Sequence, residues 1–93
     1  MQTPLFELGG VVVATPGALA AIREAGQSPA DFLARHAKGD WGDLEGHDIK
    51  ENMIALREGG RLMSAYQTRK GETIWIITEA DRSCTVLLTP SEY

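Results

Sequence analysis

The sequence predicts an α+β fold: two or three N-terminal helices packed on a C-terminal three-stranded antiparallel β-meander, with residues 9–15 as a candidate added strand. Three observations predict it. Thr73-Ile74-Trp75-Ile76-Ile77-Thr78 is a β-branched and aromatic run, apolar on both alternating faces, as a strand covered on both sides requires. Similar runs at Leu62–Gln67 and Cys84–Leu88 flank it, joined through Lys70-Gly71 and Ala80-Asp81-Arg82-Ser83; connections this short let neighbouring strands pair in chain order. The N-terminal half instead repeats a helix-start signal, a hydroxyl residue followed by proline, at Thr15-Pro16 and Ser28-Pro29.

Taken in order, residues 1–8 show little periodicity and read as a tail or edge segment. Residues 9–15 are apolar and β-branched enough for a short strand. The first helix follows Thr15, with Leu19, Ile22 and Arg23 toward one side and Gly26 as its stop. The second follows Ser28, with Asp31 placed as the acidic arm of a capping box and Phe32, Leu33 and His36 at helical spacing. Gly39-Asp40-Trp41-Gly42-Asp43 is a turn carrying a large aromatic side chain. Asp48-Ile49-Lys50-Glu51 is a further capping-box pattern, opening a third helix to about Glu58 whose apolar stripe is Ile49, Met53 and Leu56, supported by Ile54. With the helices on one sheet face, Tyr66, Trp75 and the Leu87 side need other cover, from residues 9–15 or from another molecule. Burying one large apolar side chain is worth about 1.5–3 kcal/mol.

Ninety-three residues fit one domain with its own core, and 43% apolar with 24% charged residues is ordinary globular composition. No apolar stretch is long enough to cross a bilayer, and the N-terminus lacks the parts of a signal peptide, so the expected location is cytoplasmic. Cys84 is the only cysteine, which excludes an intrachain disulfide and a Cys-based zinc cage; within an apolar alternation it reads as a buried, inert thiol. A net charge of −4 argues against a large nucleic-acid interface, where Lys and Arg must replace counterions. No cofactor-binding motif is present: the glycine pairs match neither GxGxxG nor a Walker loop.

Two polar clusters could carry chemistry. His36, Asp40, Asp43, His47 and Asp48 combine imidazole and carboxylate groups that could jointly hold a transition metal, although their spacing matches no named metal motif. The competing reading is structural, with Asp40 and Asp48 as caps, Asp43 solvated and His36 closing a helix. In the second cluster, Glu79 to Thr85, Asp81, Arg82 and Ser83 could form an anion or partner site with Arg82 as the bidentate group. Alternatively they form a β-turn whose Asp81 and Ser83 bond their own backbone. Trp41 is either a stacking platform or a plug between helices and sheet, and Tyr66 and Trp75 differ in strand parity relative to the hairpin turn, so the sequence does not pair them as one aromatic platform.

The blocks His36-Ala37-Lys38-Gly39-Asp40-Trp41-Gly42-Asp43-Leu44, Gly60-Arg61-Leu62-Met63-Ser64-Ala65-Tyr66, Ile74-Trp75-Ile76-Ile77-Thr78-Glu79-Ala80-Asp81-Arg82-Ser83 and Leu87-Leu88-Thr89-Pro90-Ser91-Glu92-Tyr93 together resemble a family of small bacterial proteins labelled plasmid-related or hypothetical. The likeness runs from about Val12 to Tyr93. It implies a bacterial, cytoplasmic protein tied to mobile-element or accessory biology. It draws attention to His36, Asp40, Trp41, Asp81, Arg82 and Ser83, and it transfers no activity and no functional residue.

The resulting expectation is a non-enzymatic module that binds another protein through its sheet or its Trp41 turn, with Trp41, Tyr66, Trp75, Asp81, Arg82 and Ser83 as contact candidates. The alternative is a metal-assisted hydrolase or nuclease using His36, Asp40, Asp43 and His47 to activate a bound water. A weaker one is a nucleic-acid accessory protein using Arg61, Arg69, Lys70 and Arg82.

Overall fold

The computed structural model describes residues 4–6 and 8–93, and its fold is α+β. The order is β1 (Val11–Ala14), α1 (Pro16–Glu24), α2 (Pro29–Ala37), α3 (Gly46–Glu58), β2 (Leu62–Gln67), β3 (Thr73–Thr78), β4 (Cys84–Leu88) and a closing 3-10 turn, Pro90–Glu92. Strands β2, β3 and β4 form the expected antiparallel meander, Leu62 opposite Thr78 and Thr78 opposite Thr85. The sheet nevertheless has four strands and is mixed, in the order β1-β4-β3-β2. Residues 11–14 extend it parallel to β4, Val11 opposite Cys84 and Ala14 opposite Leu87, instead of covering a face. The helices and the meander between β1 and β4 supply the long connection that parallel pairing needs.

Local chemistry sets the first two helix starts. The Thr15 hydroxyl accepts from Ala18 N at 3.2 Å, and Ser28 and Asp31 form the reciprocal box, with Ser28 N donating to Asp31 Oδ2 at 3.0 Å. Helix α3 begins at Gly46, before the Asp48 pattern, with Glu45 at its N-cap and no side-chain cap; Asp48 lies in the first turn. Asp48 there still favours the positive end of the helix dipole.

One core cluster joins Ala18, Ala21 and Ile22 of α1 and Phe32 of α2 to Tyr66, Ile74, Ile76 and Leu87 of the sheet. A second joins Trp41, Ala55 and Leu62, with Phe6, Leu44 and Leu56 packed against them. Tyr66 and Leu87 therefore lie under the helices, which corrects their expected place beside Trp75; Trp75 pairs with Ala65 and points to the other face. The stripe expected on α3 is also corrected. Ile49, Met53 and Ile54 are exposed, whereas Asn52 and Ala55 are buried and Leu56 half-buried.

The reason lies at the edge of β2. Asn52 mimics a strand there: its Nδ2 donates to Met63 O at 2.7 Å and its Oδ1 accepts from Met63 N at 3.1 Å. One pleat further on, Ala65 N donates to Trp41 O at 3.1 Å and Asp43 N to Ala65 O at 2.7 Å. Between them Gly42 bridges Ala65 at φ 72°, where an added Cβ would collide with Ala65 O. Gly42→Ala should thus peel the Trp41 turn from β2 and lower stability by roughly 2–3 kcal/mol in urea denaturation. An unchanged midpoint would contradict this packing.

Of the expected tail, Leu5 N donates to Ala37 O at 2.7 Å and Phe6 stacks on Trp41, while residues 1–3 and 7 lie outside the described ones. Among the described residues no helix is long and apolar enough to cross a membrane.

Candidate functional site

The polar residues singled out in the sequence do not converge. His36, on the buried side of α2, is fully inaccessible, with Ser64 Oγ 2.5 Å from Nδ1 and Thr78 Oγ1 3.0 Å from Nε2. Thr78 Oγ1 in turn lies 2.7 Å from Thr85 Oγ1, and the Thr85 hydroxyl donates to Leu8 O. A carbonyl can only accept, so the direction of the whole chain follows from its end. Thr85 gives its proton to Leu8, Thr78 gives its own to Thr85, and His36 Nε2–H donates to Thr78. Neutral Nδ1 then accepts from the Ser64 hydroxyl. Every buried polar group in the chain has a partner, and no buried side-chain nitrogen or oxygen is left without one among the described residues.

A serine hydroxyl on a histidine ring is the geometry of an activated nucleophile. Here it lacks access, since Ser64 and His36 are both 0% exposed. It lacks basicity as well, because burial pushes the His36 pKa down to about 4. The other ring nitrogen meets a hydroxyl and no carboxylate. Phe6 and Trp41 pack against the ring edge-on. The arrangement ties α2 to β2, β3 and the N-terminal segment.

The depressed pKa carries a pH prediction. Unfolded, His36 titrates near 6.5; folded, near 4. Between these values the unfolded chain binds the extra proton, so the contribution of His36 is complete above pH 6.5 and is lost as pH falls toward 4. The loss should approach about 3 kcal/mol, at about 1.4 kcal/mol per unit, read from urea midpoints between pH 7 and 4. A flat profile would contradict a neutral buried ring.

Asp40 serves the turn. It holds Arg35 through two bonds, 2.6 Å to Nε and 3.2 Å to Nη2, and its Oδ1 accepts from Gly42 N at 3.2 Å. Arg35 and the Gly42 amide keep its pKa below the usual carboxylate range. The Arg35 guanidinium lies 4.5 Å over the Tyr66 ring, and the Tyr66 hydroxyl donates to Asp40 O at 2.6 Å; burial pushes the Tyr66 pKa up to about 12. Asp43 is exposed, and His47 stands on the outside of α3, 4.0 Å from Glu51. Among the described residues no group of three His, Cys, Asp or Glu side chains is placed to hold a metal.

The β3–β4 turn is equally engaged. Arg82 sits at φ 60° and sends Nη1 to Gly60 O, Glu79 O and Ala80 O and Nη2 to Ala55 O, the last at 3.1 Å. Asp81 accepts from Ser83 N at 3.0 Å, and the Ser83 hydroxyl and amide lower its pKa. Trp41, at 6% exposed, fills the gap between α3, the N-terminal segment and the sheet, and Tyr66 is buried. Of the aromatic contact candidates Trp75 alone is half-exposed, its ring edge-on to Tyr93 at 5.7 Å.

What the structure brings together instead is a sheet face. The strand residues of both core clusters, Leu62, Tyr66, Ile74, Ile76 and Leu87, belong to one face. On the opposite face the register places Met63, Ile77, Val86 and Val13 in one row across all four strands, and Ala65, Trp75 and Leu88 in the next. Val11 and Val13 at the β1 end are 52% and 45% exposed. Cys84, expected to be buried, is a half-buried free thiol on this face. The charges at its margin pair with each other: Arg61 Nε lies 3.3 Å from Glu79 Oε2, and Arg61 Nη1 donates to the Tyr93 hydroxyl at 3.3 Å. The alternation of each strand is legible in its residues; the row needed the register of β1, which parallel pairing sets. The chain matches no protein-family model, no curated protein and no solved structure.

Proposed function

We propose that this chain is a non-enzymatic protein-binding module whose contact surface is the helix-free face of its sheet. The observation that carries the reading is the apolar row Met63–Ile77–Val86–Val13. A sheet with one solvated face normally alternates apolar inward with polar outward, and here the outward positions are apolar too. The fitting occupant is an apolar protein surface of low charge. Arg61 at the margin of the face is paired with Glu79, and the part of the face open to a partner is its β1 end, where Val11 and Val13 are exposed, whereas Ile77 and Leu88 are buried among their neighbours. The bacterial, cytoplasmic setting implied by the family resemblance belongs to this proposal.

Site-directed photo-crosslinking tests it. A benzophenone side chain replacing Val13 or Val86 should yield discrete protein adducts in a bacterial host, and the same group replacing Glu24 or His47, both exposed on helices, should not. Adducts from His47 with none from the sheet positions would overturn the reading.

A further inference from the structure

We infer that two copies of this chain pair through β1, antiparallel about a two-fold axis at Val12, to form one eight-stranded sheet. The inference goes beyond the binding reading above, because it concerns the edge of the sheet and not the face that reading uses.

The backbone places the open groups. Val11 N donates to Ser83 O at 3.3 Å and Thr15 N to Leu87 O at 2.9 Å, so the odd-numbered residues turn toward β4. Strand residues alternate, and the N–H and C=O of Gly10, Val12 and Ala14 therefore turn outward. No described residue bonds them. The two edges of the sheet are treated differently. At β2 the outward groups of Met63 and Ala65 are capped by Asn52 and by the Trp41–Asp43 turn. At β1 there is no proline, no charge and no covering segment among the described residues, the devices that usually blunt an edge.

Charge and register both favour a second copy. The chain carries −4, so self-association must keep its acids apart, and residues 9–15 contain no charged side chain. An uncharged edge offers a foreign strand no charge to recognise. Its own copy fits without remainder: Val12 exchanges both hydrogen bonds with Val12, Gly10 meets Ala14, and Val11 stands beside Val13 on the helix-free face. The two-fold runs perpendicular to the sheet, which keeps all helices on one side. The row Met63–Ile77–Val86–Val13 then continues across the junction into Val11 and Cys84 of the second copy. A four-residue edge falls at the small end of specific interfaces, so the dimer should form in the micromolar range.

Sedimentation equilibrium from about 10 μM to about 1 mM protein reads the mass directly. The wild-type value should rise from 10.1 kDa toward twice that figure. Val12→Pro removes an outward N–H, leaves the ladder to β4 in place and should weaken association at least about tenfold. Two further chains, one carrying Val11→Lys with Val13→Lys and one carrying Val11→Glu with Val13→Glu, set like charges opposite each other. Each should stay monomeric alone, and mixing them should restore a heterodimer. A wild-type protein monomeric throughout, a dimer indifferent to these changes, or a mixture that stays monomeric would each overturn the pairing. Sheet-face crosslinks to other proteins would survive those failures if the binding reading alone is right.

Discussion

His36→Ala should destabilise the protein by roughly 4 kcal/mol, the largest loss from any single side chain in the structure. The substitution orphans the Ser64 hydroxyl and one lone pair of Thr78 in a dry interior, at about 1–3 kcal/mol each, and opens a cavity beside Phe6 and Trp41. For a domain whose whole stability is about 5–15 kcal/mol, such a variant is partly unfolded at the low end. It should also lose the share of the stability slope between pH 6.5 and 4 that His36 supplies, leaving the part from carboxylates such as Asp40. The combination His36→Leu, Ser64→Ala and Thr78→Val removes the histidine and both of its partners, leaving Thr85 only its bond to Leu8 O, and should recover part of the loss. Urea denaturation with an unchanged m-value measures all of this. A His36→Ala protein within about 1 kcal/mol of wild type would contradict the proton chain.

Arg82→Ala should cost about 3 kcal/mol, again by urea denaturation. Its guanidinium gathers carbonyls from two places: Ala55 and Gly60 at the end of α3, and Glu79 and Ala80 in its own turn. Ala55 O already accepts from Gly59 N at 2.9 Å, so Arg82 adds a charged donor at the C-terminal end of α3, where a cation suits the dipole. Alanine removes the bonds and keeps the unfavourable backbone at φ 60°. Arg82→Gly removes the same bonds but relieves the backbone, so it should be the milder variant by about 1 kcal/mol. Equal losses for the two would show that the turn imposes no backbone strain.

Both residues stood out in the sequence as candidate chemistry, and both turn out to be tied into the fold. The helix starts were legible because their determinants are local: Thr15-Pro16 and Ser28-Pro29-Ala30-Asp31 contain their own capping partners. The meander was legible for the same reason, its turns being a few residues long. What escaped depends on contacts distant in sequence. Ser64 is 28 residues from His36 and Thr78 is 42, so no spacing rule links them. The buried side of α3 is set by Asn52, a polar residue that periodicity assigns to solvent, because its amide completes the β2 edge; Ile49, Met53 and Ile54 are left outside. Residues 11–14 announced a strand but not its partner, and their parallel pairing with β4 is what aligns Val13 with Val86, Ile77 and Met63. The candidate metal set was read from proximity in sequence, whereas His36 is inside the protein and His47 is exposed on α3.

The most direct single test is a long-range proton–nitrogen NMR spectrum of the histidine rings, recorded from pH 8 down to pH 4 with and without added zinc. If His36 is a structural member of the core, its ring holds the neutral Nε2–H form until pH nears about 4 and ignores zinc. A His36 ring that titrates near 6.5 and shifts with zinc would contradict that, and would return the protein to the class of metal-assisted hydrolases.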